Sequence, residues 1–327
     1  MRAFVWLTAV FALLYGGYWF AGSRALQGGL DAALAEPRRA GRIDYEALAL
    51  AGFPWRFDLT VTAPRITSRD RQIGWSAPEL RVHALSYRPN HLIAFLPGAQ
   101  QIRLGRERIA LKAADLGASS VFGLDAALPL ARAQLVGKAL AARSDRGWEL
   151  ALGELRAAIR EAAGEHAYDI GLTLFDAAAG GSLARLAEAN ALPGRLERVH
   201  LDATLRLDRD LDRFLPPGGP ALVAAEIRSI AIDWGEMALD GQGRLTVTPS
   251  GTPEGTIDFR IRGWRQALGL LRATGAIRSD RDLAEIERAL GAVALLSGEA
   301  DTLALPLIFA AGQMRLGPVP LGPAPRL

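Results

Sequence analysis

Apolar and polar residues alternate with a period of two through most of this chain, interrupted by Gly, Pro, Asn and Asp, and that alternation predicts half-buried strands. In FDLTVT, Phe57, Leu59 and Val61 share one face while Asp58, Thr60 and Thr62 share the other. ELRVHALSY sets Leu80, Val82 and Ala84 together, and QQIRLGRERIALKA reads as a hairpin about Gly105, with Ile102 and Leu104 opposed to Ile109 and Leu111. YDIGLTLF contributes Ile170, Leu172 and Leu174; RVHLDATLRLD contributes Val199, Leu201, Ala203, Leu205 and Leu207. EIRSIAIDW, MALDGQGRLTVT and GTIDFRIRGW predict an antiparallel meander, in which Gly241-Gln242-Gly243 reads as a hairpin turn between strands.

Helical spacing is sparser. It predicts helices over 154–165 (Leu155, Ile159 and Ala162 on one side), over 182–192, and as a pair from WRQALGLLRATGAI and DRDLAEIERALGAVALL, with Asp280 or Asp282 capping the second. The fold class that follows is α+β and β-dominated: a long curved antiparallel sheet with a few packing helices. The Pro-rich FLPPGGP at 214–220 is the best internal boundary. It gives a first β-rich lobe over 24–213 and a second over 214–327 that holds the helical pair, with one continuous sheet through both as the alternative.

One segment follows neither period. Residues 3–21, AFVWLTAVFALLYGGYWFA, carry no charge, and at about 1.5 Å per residue they extend roughly 28 Å, near the ~30 Å hydrocarbon thickness of a bilayer. Trp6 near one end and Tyr15, Tyr18 and Trp19 toward the other match interfacial aromatic belts. The run is longer than the core of a cleaved signal peptide, and the helical spacing continues through Leu26, Leu30 and Leu34. Residues 1–23 are therefore expected to form one N-terminal transmembrane signal anchor ahead of the β-rich body. Arg2 and the terminal amine compete with Arg24, Arg38, Arg39 and Arg42 for the cytoplasmic side, and the charge count alone favours a cytoplasmic body. A two-residue flank before a long C-terminal body fits export instead, as does the absence of cysteine, so a single-pass inner-membrane protein with a periplasmic body is expected.

Composition narrows the classes. Half the residues are apolar and 22% are charged, which excludes disorder as the dominant state. Only Lys112 and Lys138 are lysines among 38 basic residues, and the net charge is +3 with acids interspersed, so no basic cluster points to nucleic acid. The histidines, His83, His91, His166 and His200, have no metal-ligand spacing, and no P-loop, GxSxG or GxGxxG is present. Asp208, Asp210 and Asp212 begin like a calcium loop, but Arg213 and Gly219 stand where its Gly and Glu belong, so a self-paired turn is expected. No catalytic, cofactor or metal residue is expected, and the chain does not read as an enzyme.

AGFPWRFDLTVTAP at 51–64 and WSAPELRVHALSYRPNH at 75–91 resemble an uncharacterised family of single-anchor envelope proteins, domain of unknown function 2125. The motif residues are Gly52, Phe53, Pro54 and Trp55, then Trp75 and Pro78, with Tyr87 and Pro89 closing the second strand. The later GQGRLTVTPSGTPEGTIDFRIRGW, the helical pair and the closing LGPVPLGP are similar to the C-terminal pattern of AsmA-like proteins. That resemblance implies an anchored curved sheet with an apolar concave face, a phospholipid or other apolar ligand, and a part in envelope assembly or lipid traffic, with envelope-assembly proteins as partners. A groove for such a ligand would draw on Phe57, Leu59, Val61, Leu80, Val82, Leu201 and Leu205. The alternative is a structural or scaffolding envelope protein with a closed core and a protein partner.

Overall fold

A computed structural model of the chain describes residues 2–53, 55–216, 218–273, 280–296 and 300–327, with side chains from residue 17 onward in the first helix and over 283–295 in the last. Chain contacts divide it into two compact units.

The first unit, 1–122 with 142–146, begins with α1 (Arg2–Arg39). Gly41, at φ 65°, turns the chain out of this helix. Among the described residues no helix is long and apolar enough to cross a membrane. The side chains of 1–16, most of the run expected to span a bilayer, lie outside the described residues. Ten strands follow: β1 (Ile43–Asp44), β2 (Ala47–Ala51), β3 (Arg56–Thr62), β4 (Arg65–Thr67), β5 (Ile73–Ser76), β6 (Glu79–Leu85), β7 (Arg88–Phe95), β8 (Gln100–Leu104), β9 (Glu107–Lys112) and β10 (Asp115–Phe122). They form two antiparallel ladders, β2-β3-β6-β7-β10 and β1-β4-β5-β8-β9. The β8/β9 hairpin forms with Ile102 opposite Ile109, but Leu104 faces Glu107 and Leu111 faces Gln100.

The second unit, 123–141 with 147–327, is a meander in which each strand from β13 to β20 pairs antiparallel with its predecessor. After β11 (Leu130–Ser144), which reaches into the first unit, come β12 (Trp148–Glu161), β13 (Ala167–Gly181), α2 (Ser182–Ala189), β14 (Arg195–Leu207), β15 (Leu222–Trp234), β16 (Met237–Val247) and β17 (Pro253–Arg262). Then follow α3 (Trp264–Ala273), α4 (Asp280–Leu296), β18 (Thr302–Ala310), β19 (Gln313–Leu316) and β20 (Val319–Pro323). FLPPGGP lies inside this unit, in the connection from β14 to β15.

Two sequence expectations are corrected here. The helix expected over 154–165 is strand β12: Leu155, Ala157 and Ile159 face the apolar side opposite Leu174, Leu172 and Ile170. Ala-rich helix propensity is a weak preference, and cross-strand pairing along a long neighbour overrides it. Gly241-Gln242-Gly243 is not a turn but the middle of β16, with Gly241 opposite Phe259 and Gly243 opposite Ile257. A Cβ at Gly241 would sit 2.5 Å from the Phe259 ring, so the glycine makes room for the aromatic. The turn before β16 is Gly235-Glu236 instead.

Candidate functional site

In the first unit the GFP-aromatic turn holds the helix. Trp19 on α1 stacks against Phe57 at 6.0 Å between ring centroids and meets Phe53 edge-on at 5.2 Å. Its indole Nε1 donates to the Arg56 carbonyl at 2.9 Å, and the Tyr18 hydroxyl donates to the Ser86 carbonyl at 2.8 Å. Gly22 permits the approach, since a Cβ there would lie 3.2 Å from the Phe57 ring. Ser86 in turn donates from both its amide and its hydroxyl to the Trp55 carbonyl, which ties the turn at 52–55 to the one at 86–87. Gly52, at φ 101°, makes the first turn possible, and an added Cβ would strike the Arg56 carbonyl. Pro54 of the motif lies outside the described residues. The polar ends of Tyr18 and Trp19, expected at headgroup depth, are thus taken up by the body's own backbone.

The other groove residues of this unit occupy one face. Leu59 pairs with Val82 and Val61 with Leu80, flanked by Leu50 and Leu48, and all four are half-buried. Phe57, at 7% exposure, is closed over by α1. Trp75 and Pro78 lock strand ends: the Trp75 indole donates to Gln100 Oε1 at 2.9 Å, and the Pro78 carbonyl accepts from the Ala63 amide at 2.8 Å. Gln100 is buried, and its Nε2 has no partner among the described residues.

In the second unit, Leu201 and Leu205 lie on a broader apolar face. Cross-strand rows run Leu174-Val199-Ile232, Leu172-Leu201-Ile230 and Ile170-Ala203-Ile227. Helices cover part of it. Trp264, Leu268, Leu290 and Ala294 of α3 and α4 close on Ile261, Leu303 and Leu305, and Ala187 of α2 packs with Leu192 and Met237. Leu172, Leu201 and Ile230 belong to neither cluster and stay half-buried.

The opposite face of the same strands carries charge. Asp169 Oδ1 accepts from the Thr204 hydroxyl at 2.7 Å and from Arg228 Nη1 at 2.9 Å, while Oδ2 accepts from Arg160 Nη2 at 3.0 Å. Arg228 also clasps Asp202. The Thr204 hydroxyl, then Arg160 and Arg228, hold the Asp169 carboxyl down to about 2 against its partial burial. Arg228 also hydrogen-bonds Asp202, which lies below the usual carboxylate range for that reason. Arg228 occupies a β-bulge, because Ile227 and Ile230 face Ala203 and Leu201 with two residues between them. Sequence reading missed this network, although the break in alternation at Ile227-Arg228-Ser229-Ile230 is its signal.

The acidic run self-pairs: Asp208 contacts Arg209 and accepts from the Ala221 amide, Asp210 holds His166 at 2.7 Å, and Asp212 accepts from the Phe214 amide. Asp210 raises the His166 pKa. Among the described residues no group of His, Asp and Glu is arranged to hold a metal ion. The chain therefore offers two features for function: a half-open apolar sheet face and an aromatic collar around a helix.

The model of a family described as an uncharacterized protein conserved in bacteria, DUF2125, matches residues 19–325. No curated protein and no solved structure matches the chain.

Proposed function

The chain belongs to the DUF2125 family of uncharacterized bacterial proteins, and we propose that it is an inner-membrane-anchored periplasmic protein that binds or hands on phospholipid or another apolar molecule in envelope biogenesis. The observation that carries this reading is the half-buried tract Leu172-Leu201-Ile230, left outside both helix-covered clusters. An acyl chain laid on such a face gains about 0.8 kcal/mol per buried methylene and asks for no polar partner, which suits a face without one. The uncharged run 3–21 supports the anchor, and the N-terminal helix that contains it carries on to Arg39 without a break. The likeness of the C-terminal pattern to AsmA-like proteins points the same way.

The test is native mass spectrometry of the full chain released from detergent, alongside transfer of a fluorescent phospholipid between vesicles. Bound phospholipid and accelerated transfer are expected, both reduced by Leu201→Gln. A lipid-free chain that transfers nothing, or a Leu201→Gln variant that folds and transfers as well as the native chain, overturns the reading. In that case a stable co-purifying protein would favour the scaffold role.

A further inference from the structure

We propose that the two turns beside α1 form a second membrane-contacting surface, which rests the first unit on the headgroup layer of the bilayer that holds residues 3–17. This proposal rests on the anchor reading. Phe53, Trp55 and Tyr87 project from these turns at 60%, 62% and 65% exposure, while Tyr18 and Phe20 on the adjoining helix are also more than half exposed. An interior motif that bonds Ser86 to Trp55 and docks Trp19 on Phe53 and Phe57 has no structural need to leave two more large rings, Trp55 and Tyr87, mostly exposed. Clustered exposed aromatics on a soluble surface mark a contact.

The occupant follows from continuity. Trp19 is fixed to the turn by its bond to Arg56, and the uncharged helix runs N-terminally from that point, so a bilayer holding the helix begins within a turn or two of Tyr18. At about 1.5 Å per residue, Trp55 and Tyr87 then fall at the depth where aromatic rings with polar edges settle, with the apolar Phe53 ring beside Trp19. Charge agrees with this placement. Arg24 lies over the Phe20 ring at 4.4 Å and Arg88 follows the second turn, both exposed, as cations that face anionic headgroups are. Asp58, the nearest acid in sequence, is engaged by His83 and Arg56. The helix alone would leave the unit free to swing; helix and platform together set its orientation.

The chain has no cysteine, so single probes can be placed without background. The full chain carrying Trp55→Cys, Tyr87→Cys or Thr62→Cys is labelled with an environment-sensitive fluorophore. It is then reconstituted in vesicles of equal parts phosphatidylcholine and phosphatidylglycerol, with or without headgroup-nitroxide lipid. Thr62 is the control: exposed, on the same strand as Arg56, and about 20 Å away along it at ~3.3 Å per residue. Probes at 55 and 87 should lose about half their emission to the shallow quencher while the probe at 62 is unaffected. Two sites guard against one label disturbing its turn. A chain that floats with the vesicles but shows equal, weak quenching at all three sites overturns the platform and leaves the anchor standing. A chain that does not float overturns both, and lipid transfer by the sheet face is read separately.

Discussion

Gly241→Ala should destabilise the second unit, although the same change at the open Gly171 of its sheet should stabilise it. Glycine in a strand interior costs about 0.5–1 kcal/mol relative to alanine through lost backbone entropy, so the generic expectation is a gain. At 241 the new methyl would stand 2.5 Å from the Phe259 ring, whose neighbours belong to the cluster under α3 and α4, so the ring cannot step aside freely. Overpacking of this kind costs about 1–3 kcal/mol, which outweighs the gain and leaves a net loss of about 1–2 kcal/mol. Gly171, midway along β13, has nothing within 4 Å of its would-be Cβ, and Gly171→Ala should therefore stabilise by about 0.5 kcal/mol. Urea unfolding of the purified chain followed by far-ultraviolet circular dichroism reads both midpoints. The double variant with Phe259→Leu isolates the contact: Gly241→Ala should cost much less once the ring is gone. Equal midpoint shifts for Gly241→Ala and Gly171→Ala, or an undiminished cost in the Phe259→Leu background, would refute the argument.

The Asp169 carboxyl, held down to about 2 from an ordinary 3.8, contributes stability that is complete above pH 4 and is lost as pH falls through about 2. Discounted for partial solvent access, Asp169→Asn should cost about 1–2 kcal/mol at neutral pH, with the gap to the native chain closing toward pH 2 in matched urea titrations. A gap independent of pH would count against the network. Trp19→Ala removes two ring contacts and the bond to Arg56, so hydrogen exchange at 52–57 and 84–86 should rise by about tenfold or more, with Trp19→Phe intermediate. Unchanged exchange in Trp19→Ala would show that the helix is not held there.

Much of the sheet is legible because half-buried antiparallel strands write their burial directly into alternate positions: β3, β6, β13 to β15 and β17 stand where the alternation places them. Where the pattern misleads, the causes are specific. In β12 the apolar positions include small alanines, which also suit a helix, and only the length of β13 alongside reveals a strand. In β16 two glycines imitate a turn because what they make room for, the Phe259 ring at Gly241 and the Thr256–Ile257 backbone at Gly243, lies well over ten residues later on the next strand. The collar is less legible still. Tyr18 and Trp19 read as part of a membrane run, and nothing local shows that their polar ends bond to backbone 68 and 37 residues away. Leu201 and Leu205 are placed on the apolar face as expected, whereas Phe57 is closed by a helix whose contact depends on Gly22.

The strictly sequential pairing from β12 to β19 also bears on how the unit is made. Every ladder joins a strand to the one preceding it along the chain, so no pairing waits for a distant segment and loop-closure costs stay small. A chain delivered from its N-terminal end can lay down this sheet one strand at a time, with the growing edge always the newest strand. Only the α3 and α4 insertion delays the next addition, and those helices bring their own apolar cover for the edge they interrupt. Vectorial assembly of this kind keeps the exposed edge short-lived, which limits aggregation while the unit is incomplete.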